Sequence, residues 1–491
     1  MPNSKPQVLL VATEVSPLAK VGGLADVVGA LAKECHNSGK VKVSVALPRY
    51  NEVDRFLASQ QIKVKRREEF PVTIGTQSMV GAIEHVVYHD IDIYLVDQPH
   101  YFKRNGIYFD ETYKIDYADN LERMAFFTRF VFEALKVLDL KVDIIHAHDW
   151  QCGLFPFYLK SIYKMDGFFK NTKSVFTIHN LSYQGIFSVE QYGILGVDWK
   201  YFTINGLEFY GHINLLKAGI NFADMITVVS ETYAKEIQSP EFGNGLEGII
   251  REKAGAGQIV GIMNGVDYEE WDPEKDIYLP VHYNAKTLDQ KKALKIAYLK
   301  EKGIADPDPS KPLVGMVSRL VDQKGLDILL EIIPRLMEQG VYLTILGQGK
   351  EEYEVRLRDF ARHYAPSFIL SIAFDIAESH RIMAASDMLL VPSRFEPAGL
   401  TQLYAMAYGT IPVVRRTGGL ADSVKHGITG FVFEPYTPEA LLGMVSQAIA
   451  TYKQNPAQWE KLMKNAMKED FSWKQSAQKY IEIYKRLLQE R

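Results

Sequence analysis

Residues 387–414, DMLLVPSRFEPAGLTQLYAMAYGTIPVV, read as strand, loop, helix and strand in immediate succession. The run DMLLVP is short, apolar and stopped by proline. The loop that follows carries Glu396. Gly399, Leu400 and Thr401 then open a helix, Gly409 closes it, and IPVV begins the next strand. A helix joining two short apolar strands is the crossover of a parallel sheet. Backbone N–H groups at 399–401 can hold a pyrophosphate where the helix begins. Glu396 points into the same space, and a buried carboxylate is expensive unless it accepts hydrogen bonds, for instance from a sugar.

The same grammar extends in both directions. PLVGMVS (312–318), VYLTILG (341–347) and SFILSIA (367–373) are strands, each followed by a helical pattern. Upstream, QVLLVAT (7–13), VKVSVALP (41–48), VDIIHAH (142–148), KSVFTIHN (173–180) and DMITVVS (224–230) alternate with helices. The helices include LADVVGALAKECHNSG (24–39) and NLERMAFFTRFVFEALKVL (120–138), with hairpin-like pieces over 70–97. Residues 272–312 are rich in Asp, Pro and Lys and form a connector with one helix near 286–302. This alternation predicts an α/β protein of two doubly wound, Rossmann-like domains with parallel sheets covered on both faces. The domains are expected at residues 1–263 and 264–469. An amphipathic helix, 470–491, has no strand after it and can pack on either domain. Ligands of such sheets bind beyond the carboxyl ends of the strands, which places a site in a cleft where the two domains face each other.

Composition agrees and narrows the choices. A chain of 491 residues is too long for one ordinary core. The net charge of −4 gives no reason to expect nucleic acid or an acidic membrane as partner. Two cysteines, Cys35 and Cys152, make no disulfide framework and fit a reducing compartment. MPNSKPQVLLVATEV reads as a first strand interrupted by Glu14, not as a signal peptide, and no run of about 18 apolar residues is present to span a membrane.

Chemically equipped residues recur at the predicted strand ends. Lys20, Gly22 and Gly23 lie between the first strand and the first helix, with Asp26 in that helix's first turn. They read as a site for phosphate or sugar hydroxyls, or as a plain turn beside a solvated lysine. HAHDW (146–150) lacks the HxHxDH metal spacing. Its histidines read as structural, and Asp149 reads as a hydroxyl acceptor. His179 and Asn180, in FTIHNLSYQG (176–185), can bond sugar hydroxyls. Arg319 and Lys324, in VSRLVDQKGLD (317–327), are five apart and can reach one diphosphate. RRTGGLADSV (415–424) repeats the Gly-Gly-Leu-Ala-Asp of residues 22–26.

Taken in order, KVGGLADV, HAHDW, FTIHNLSYQG, MNGVDYEEWDP, SRLVDQKGLD, PSRFEPAGLTQLYAMAYGT and RRTGGLADSV closely resemble the bacterial glycogen synthases and plant starch synthases, essentially end to end. The resemblance implies the GT-B architecture and a C-terminal helix that crosses back to the N-terminal domain. It also implies a retaining glucosyltransferase that moves glucose from ADP-glucose to the non-reducing 4-hydroxyl of an α-1,4-glucan, in the cytoplasm, with no cofactor, no metal, no nucleic acid and no membrane. It assigns Arg319 and Lys324 to the diphosphate, Glu396 to the donor glucose, and Asp149 and His179 to the catalytic centre. Lys20, Gly22, Gly23, Asp26, Asn180, Gly399, Leu400 and Thr401 fall to the donor side, and Tyr108 and Asn264 to further cleft positions. Phe374 stands where many members stack a Tyr on adenine, Ile376 replaces a usual Glu, Ala398 a usual Cys and Gln151 a frequent His. Phe374 and Ile376 keep a UDP-glucose or small-acceptor transferase as the alternative. A phosphorylase would carry lysine-bound pyridoxal phosphate, and a non-catalytic glucan-binding homologue would bind glucan without turnover.

Overall fold

The computed structural model describes residues 5–113 and 115–489. The chain divides into two compact units. One comprises Met1–Val229, Ala234–Ile262 and Trp473–Arg491, the other Ser230–Tyr233 and Met263–Ser472. The division falls between Ile262 and Met263.

The first unit is built on a sheet of nine strands among the described residues. In chain order these are β1 (Gln7–Val11), β2 (Lys42–Pro48), β3 (Arg66–Ile74), β4 (Gln77–Tyr88), β5 (Ile91–Asp97), β6 (Ile144–His148), β7 (Lys173–Ile178), β8 (Met225–Val228) and β9 (Ile259–Gly261). Their spatial order is β9-β8-β7-β6-β1-β2-β5-β4-β3. β1, β6, β7 and β8 are almost wholly buried and mostly apolar, which is what a covered parallel sheet demands; β6 carries His146 and His148 on one face.

The hairpin-like pieces read over 70–97 form one antiparallel edge of this sheet. β4 pairs antiparallel with both β5 and β3. The reason is loop length. Gly75 and Thr76 alone join β3 to β4, and His89 and Asp90 alone join β4 to β5. Connections of two residues can close only antiparallel pairs. Gly75, His89 and Asp90 are all at positive φ, as tight hairpin turns require. β3 is accordingly polar on one face.

In this unit α1 (Gly23–Asn37) follows β1, and α2 (Asn120–Val137) precedes β6. α2 is buried nearly all round. Its fully buried Arg123 donates to Asn120 Oδ1 at 2.6 Å and to the carbonyls of Tyr101 and Ile107. Asn120 in turn donates to the Tyr108 carbonyl at 2.9 Å, so this buried network fixes the loop that carries Tyr108. A helix α3 (Trp473–Gln489) closes the chain and packs on α1 through an apolar stripe of Trp473, Ala477, Tyr480, Ile481, Tyr484 and Leu487.

The second unit holds a six-stranded parallel sheet: β10 (Leu313–Val317), β11 (Tyr342–Leu346), β12 (Phe368–Ser371), β13 (Met388–Val391), β14 (Ile411–Arg415) and β15 (Phe431–Phe433). The spatial order is β12-β11-β10-β13-β14-β15. The reversal of strand order beside β10 is the switch point at which doubly wound sheets bind ligands. The connector helix forms over Asp289–Glu301. β9 and β15, three residues each, were too short to register as periodic runs. No helix among the described residues is long and apolar enough to cross a membrane.

Candidate active site

In the first unit the carboxyl end of β1 runs straight into Thr13 and Glu14. Glu14 is 4% exposed, and its Oε2 accepts the backbone N–H groups of Val21 (2.5 Å) and Gly22 (2.8 Å). Its Oε1 accepts the Tyr108 hydroxyl at 2.6 Å, and that hydroxyl also lies 2.7 Å from Thr13 Oγ1. The glycine loop is thus held by a carboxylate, and two of its N–H groups are occupied by the protein itself. Lys20 Nζ forms an ion pair with Asp26 Oδ1 at 2.7 Å, on the exposed side of the turn. Its charge is shared with a carboxylate.

The two glycines of this loop are not demanded by the fold. Gly22 is extended (φ −146°), and a Cβ at Gly22 or Gly23 would meet nothing within 4 Å. The same words in the second unit have the opposite explanation. A Cβ at Gly418 would lie 2.0 Å from the Glu396 carbonyl oxygen, and at Gly419 1.8 Å from that of Ala398. There the backbone itself requires glycine. In the first unit the space beside both glycines is open.

The ends of β6 and β7 bring five more residues together. Asp149 adopts a strained backbone for a non-glycine residue (φ 56°, ψ −178°). Its carboxylate accepts the backbone N–H of His179, at 2.7 Å, and that of Asn180. Burial nevertheless pushes its carboxyl up to about 7, with these two N–H bonds opposing the rise and Glu14 adding to it. Asn180 uses its side-chain oxygen to accept the Ser182 N–H at 3.0 Å. Behind Asp149, His148 Nδ1 lies 3.1 Å from His179 Nε2, and His146 is bonded to Tyr484 of α3 and to Thr177. Burial holds His146 and His179 down at about 3 and His148 well below the usual imidazole range, so all three rings are neutral. Among the described residues no group of three or more His, Cys, Asp or Glu is disposed to hold a metal ion.

In the second unit, Lys324 Nζ lies 2.5 Å from Glu396 Oε2, and Ser393 Oγ donates to the same oxygen at 2.8 Å. Lys324 ends a 3₁₀ turn closed by Gly325, whose positive φ (74°) and approach to Pro392 exclude any other residue. The β10 loop and the β13 loop are therefore pinned against each other. Arg319 is exposed, and its guanidinium has no partner among the described residues. Gly399 (φ 65°) and Leu400 precede the helix Thr401–Ala407. Asn264 is buried, with its Oδ1 unpartnered among the described residues. Phe374 is 75% exposed.

The residues assigned to the site from the sequence thus stand at or just beyond a strand end of one unit or the other, on a loop tied to one, or, as Asp26 and Thr401 do, in the first turn of the helix that follows. Sequence reasoning missed Glu14 and Ser393 and read His148 only as structural. Glu14 carried a signal, as a lone carboxylate directly after the first apolar strand. His148 and Ser393 acquire partners only through residues about thirty and three positions away, respectively.

Two units built on doubly wound sheets are the architecture of the GT-B glycosyltransferases, and the likenesses of the chain assign it to that class. Residues 7–252 match the family described as the starch synthase catalytic domain, and residues 299–468 match glycosyl transferases group 1. The chain is 43% identical to the glycogen synthase of Geotalea daltonii, covering 98% of this chain and 99% of that one. It is 40% identical to that of Desulforudis audaxviator, covering 98% and 96%. Among solved structures it is similar to the catalytic domain of starch synthase IV from Arabidopsis thaliana, bound to ADP and acarbose. The TM-score is 0.87 at 31% identity, covering 99% of this chain and 100% of that one. The chain belongs to the glycogen synthase family and is a glucosyltransferase.

Proposed function

We propose that this glucosyltransferase takes glucose from ADP-glucose and adds it to the non-reducing 4-hydroxyl of an α-1,4-glucan with retention of configuration, in the cytoplasm and without a cofactor. The observation that carries the reading is the pair of half-buried Lys324 and buried Glu396, together with the Arg319 guanidinium, unpartnered among the described residues and five residues from Lys324. That set suits a sugar diphosphate. Two cations meet the phosphates, and one carboxylate accepts hydrogen bonds from sugar hydroxyls. Likeness to glycogen synthases over the whole chain, and to a starch synthase solved with ADP, supports the donor and acceptor. The bacterial relatives support the cytoplasmic setting. The exposed Phe374 ring offers a face for adenine.

In the reaction the bond from glucose C1 to the β-phosphate oxygen breaks, and both electrons leave on that oxygen. Arg319, Lys324 and the N–H groups at Leu400 and Thr401 stabilise the developing charge. The acceptor oxygen forms the new bond to C1, and its proton passes to the departing phosphate. Glu396 Oε2 already accepts bonds from Lys324 and Ser393, which suits a group that holds the sugar better than a nucleophile. Retention then follows from attack on the same face as departure. Asp149, tethered to the backbone of His179 and Asn180, serves as the hydroxyl acceptor, with His179 near the transferred glucose and Asn180 beside it. Gly22 and Gly23 leave room for a sugar at the backbone, Lys20 and Asp26 border that room, and Tyr108 and Asn264 line the donor and glucan sites.

The test is incubation with glycogen and ADP-glucose or UDP-glucose, without added metal, following nucleotide release and glucan growth. ADP release with elongation, much faster than with UDP-glucose, is the expected result. Preference for UDP-glucose transfers the donor assignment. Binding of glucan without turnover with either donor removes the catalytic reading.

A further inference from the structure

Three neutral imidazoles leave a proton-counting question at the end of β7. Each ring carries one N–H. His179 Nε2 and His148 Nδ1 are 3.1 Å apart, so one of them donates. His148 Nε2 is buried and has no partner among the described residues. If His179 donated from Nε2, the proton of His148 would sit on that buried Nε2, leaving an N–H unpaired. If His148 donates from Nδ1, the unpaired atom is a bare ring nitrogen. An orphaned buried N–H is the rarer and costlier of the two. We infer that His148 is a positioning residue: its Nδ1–H donates to His179 Nε2 and fixes His179 as the tautomer whose Nδ1–H is the donor offered to the sugar.

The surroundings hold that choice in place. The His146 ring lies over His148, with centroids 4.2 Å apart, and His146 is itself pinned at both nitrogens by Tyr484 and Thr177. The His179 main chain is pinned by Asp149. His148 therefore cannot turn to offer its other nitrogen without breaking a packed column, and the His179 ring is carried on a backbone that is held in place. The inference deepens the proposed reading, because the use of the Nδ1–H rests on His179 lying near the transferred glucose.

The tautomer itself can be read without any substrate. Long-range proton–nitrogen correlation spectra of the full chain, labelled with ¹⁵N-histidine and assigned by loss of signals in His179→Gln, are expected to show His179 protonated at Nδ1 and bare at Nε2. A proton on His179 Nε2 overturns the inference. In the His148→Leu protein the His179 signature is expected to become mixed. Its kcat should fall by on the order of 10²-fold, as misplacement of a reacting group does, with donor KM little changed. His148→Asn, whose amide N–H takes the place of Nδ1–H, is expected to restore both. Wild-type tautomer and kcat in His148→Leu also overturn the inference. Absence of turnover with ADP-glucose in the unaltered protein counts against the proposed reaction and leaves the spectrum to decide the tautomer.

Discussion

Lys324 Nζ lies 2.5 Å from Glu396 Oε2, joining the loop after β10 to the loop after β13, 72 residues further along. The pair is largely buried, so its halves are unequal in what their loss does. Lys324→Met strands the Glu396 carboxylate with only Ser393 beside it. It is expected to lower the unfolding free energy by about 3 kcal/mol and kcat by on the order of 10²–10³-fold. Glu396→Gln keeps an acceptor for Ser393, leaves Lys324 partly solvated, and should unfold near the normal temperature while losing turnover. Thermal denaturation beside steady-state kinetics separates the two. Near-normal turnover in Glu396→Gln would remove any essential role for the carboxylate.

The paired wording of the two Gly-Gly-Leu-Ala-Asp segments predicts opposite phenotypes. Gly22→Ala and Gly23→Ala put a methyl into open space and should keep or slightly raise stability, by up to about 1 kcal/mol. They should weaken binding of glucan or donor. Gly419→Ala meets the Ala398 carbonyl at 1.8 Å and should fail to give soluble, folded protein. Melting temperatures and KM values of the three variants test this directly.

Asp149 carries a carboxyl raised to about 7 in the folded chain. Between the unfolded value near 4 and 7, the folded state holds a proton that the unfolded state has lost, so stability falls as pH rises through that window. Asp149→Asn cannot ionise. It is expected to be more stable than the unaltered protein above pH 7, by up to about 4 kcal/mol, with the gain shrinking toward pH 4. Its turnover should be largely lost. Denaturant unfolding at pH 5 and pH 8 reads the sign.

The three imidazoles act the other way. Their folded values lie far below the unfolded value near 6.5, so their contribution is complete above it and is lost as pH falls. Each contributes a slope of about 1.4 kcal/mol per pH unit. Three outweigh the single Asp149, and stability should drop steeply below pH 6.5. Calorimetric proton uptake on unfolding at pH 5.5 should be reduced by about one proton in His146→Gln.

Phe374 is so exposed that its replacement should leave stability unchanged. Phe374→Ala is expected to raise the KM for ADP-glucose about tenfold, the effect of losing one base–aromatic stack. Phe374→Tyr should keep it. An unchanged KM in Phe374→Ala would place the adenine elsewhere.

Much of this protein is legible along the chain because its signals are local. Short apolar runs ending in DW, HN, SR or PSRFE, each followed by a helical pattern, fix an α/β alternation and put Asp149, His179, Arg319 and Glu396 at strand ends. Loop length was equally local, and the two-residue turns at Gly75-Thr76 and His89-Asp90 determined the antiparallel edge. Tertiary structure alone decided which atoms meet. Glu14 became the clamp of the glycine loop because β1 ends beneath it, and Lys324 met Glu396 because β10 and β13 are neighbours in space. His148 came to bear on His179 because β6 and β7 pair in register. Hydrogen bonds and ion pairs reach about three ångströms, and their partners here are commonly 30 to 100 residues apart. Strand order, not spacing along the chain, sets those distances, and the contrast between Gly22 and Gly23, with open space beside them, and Gly418 and Gly419, crowded by backbone, emerges only from the space around each.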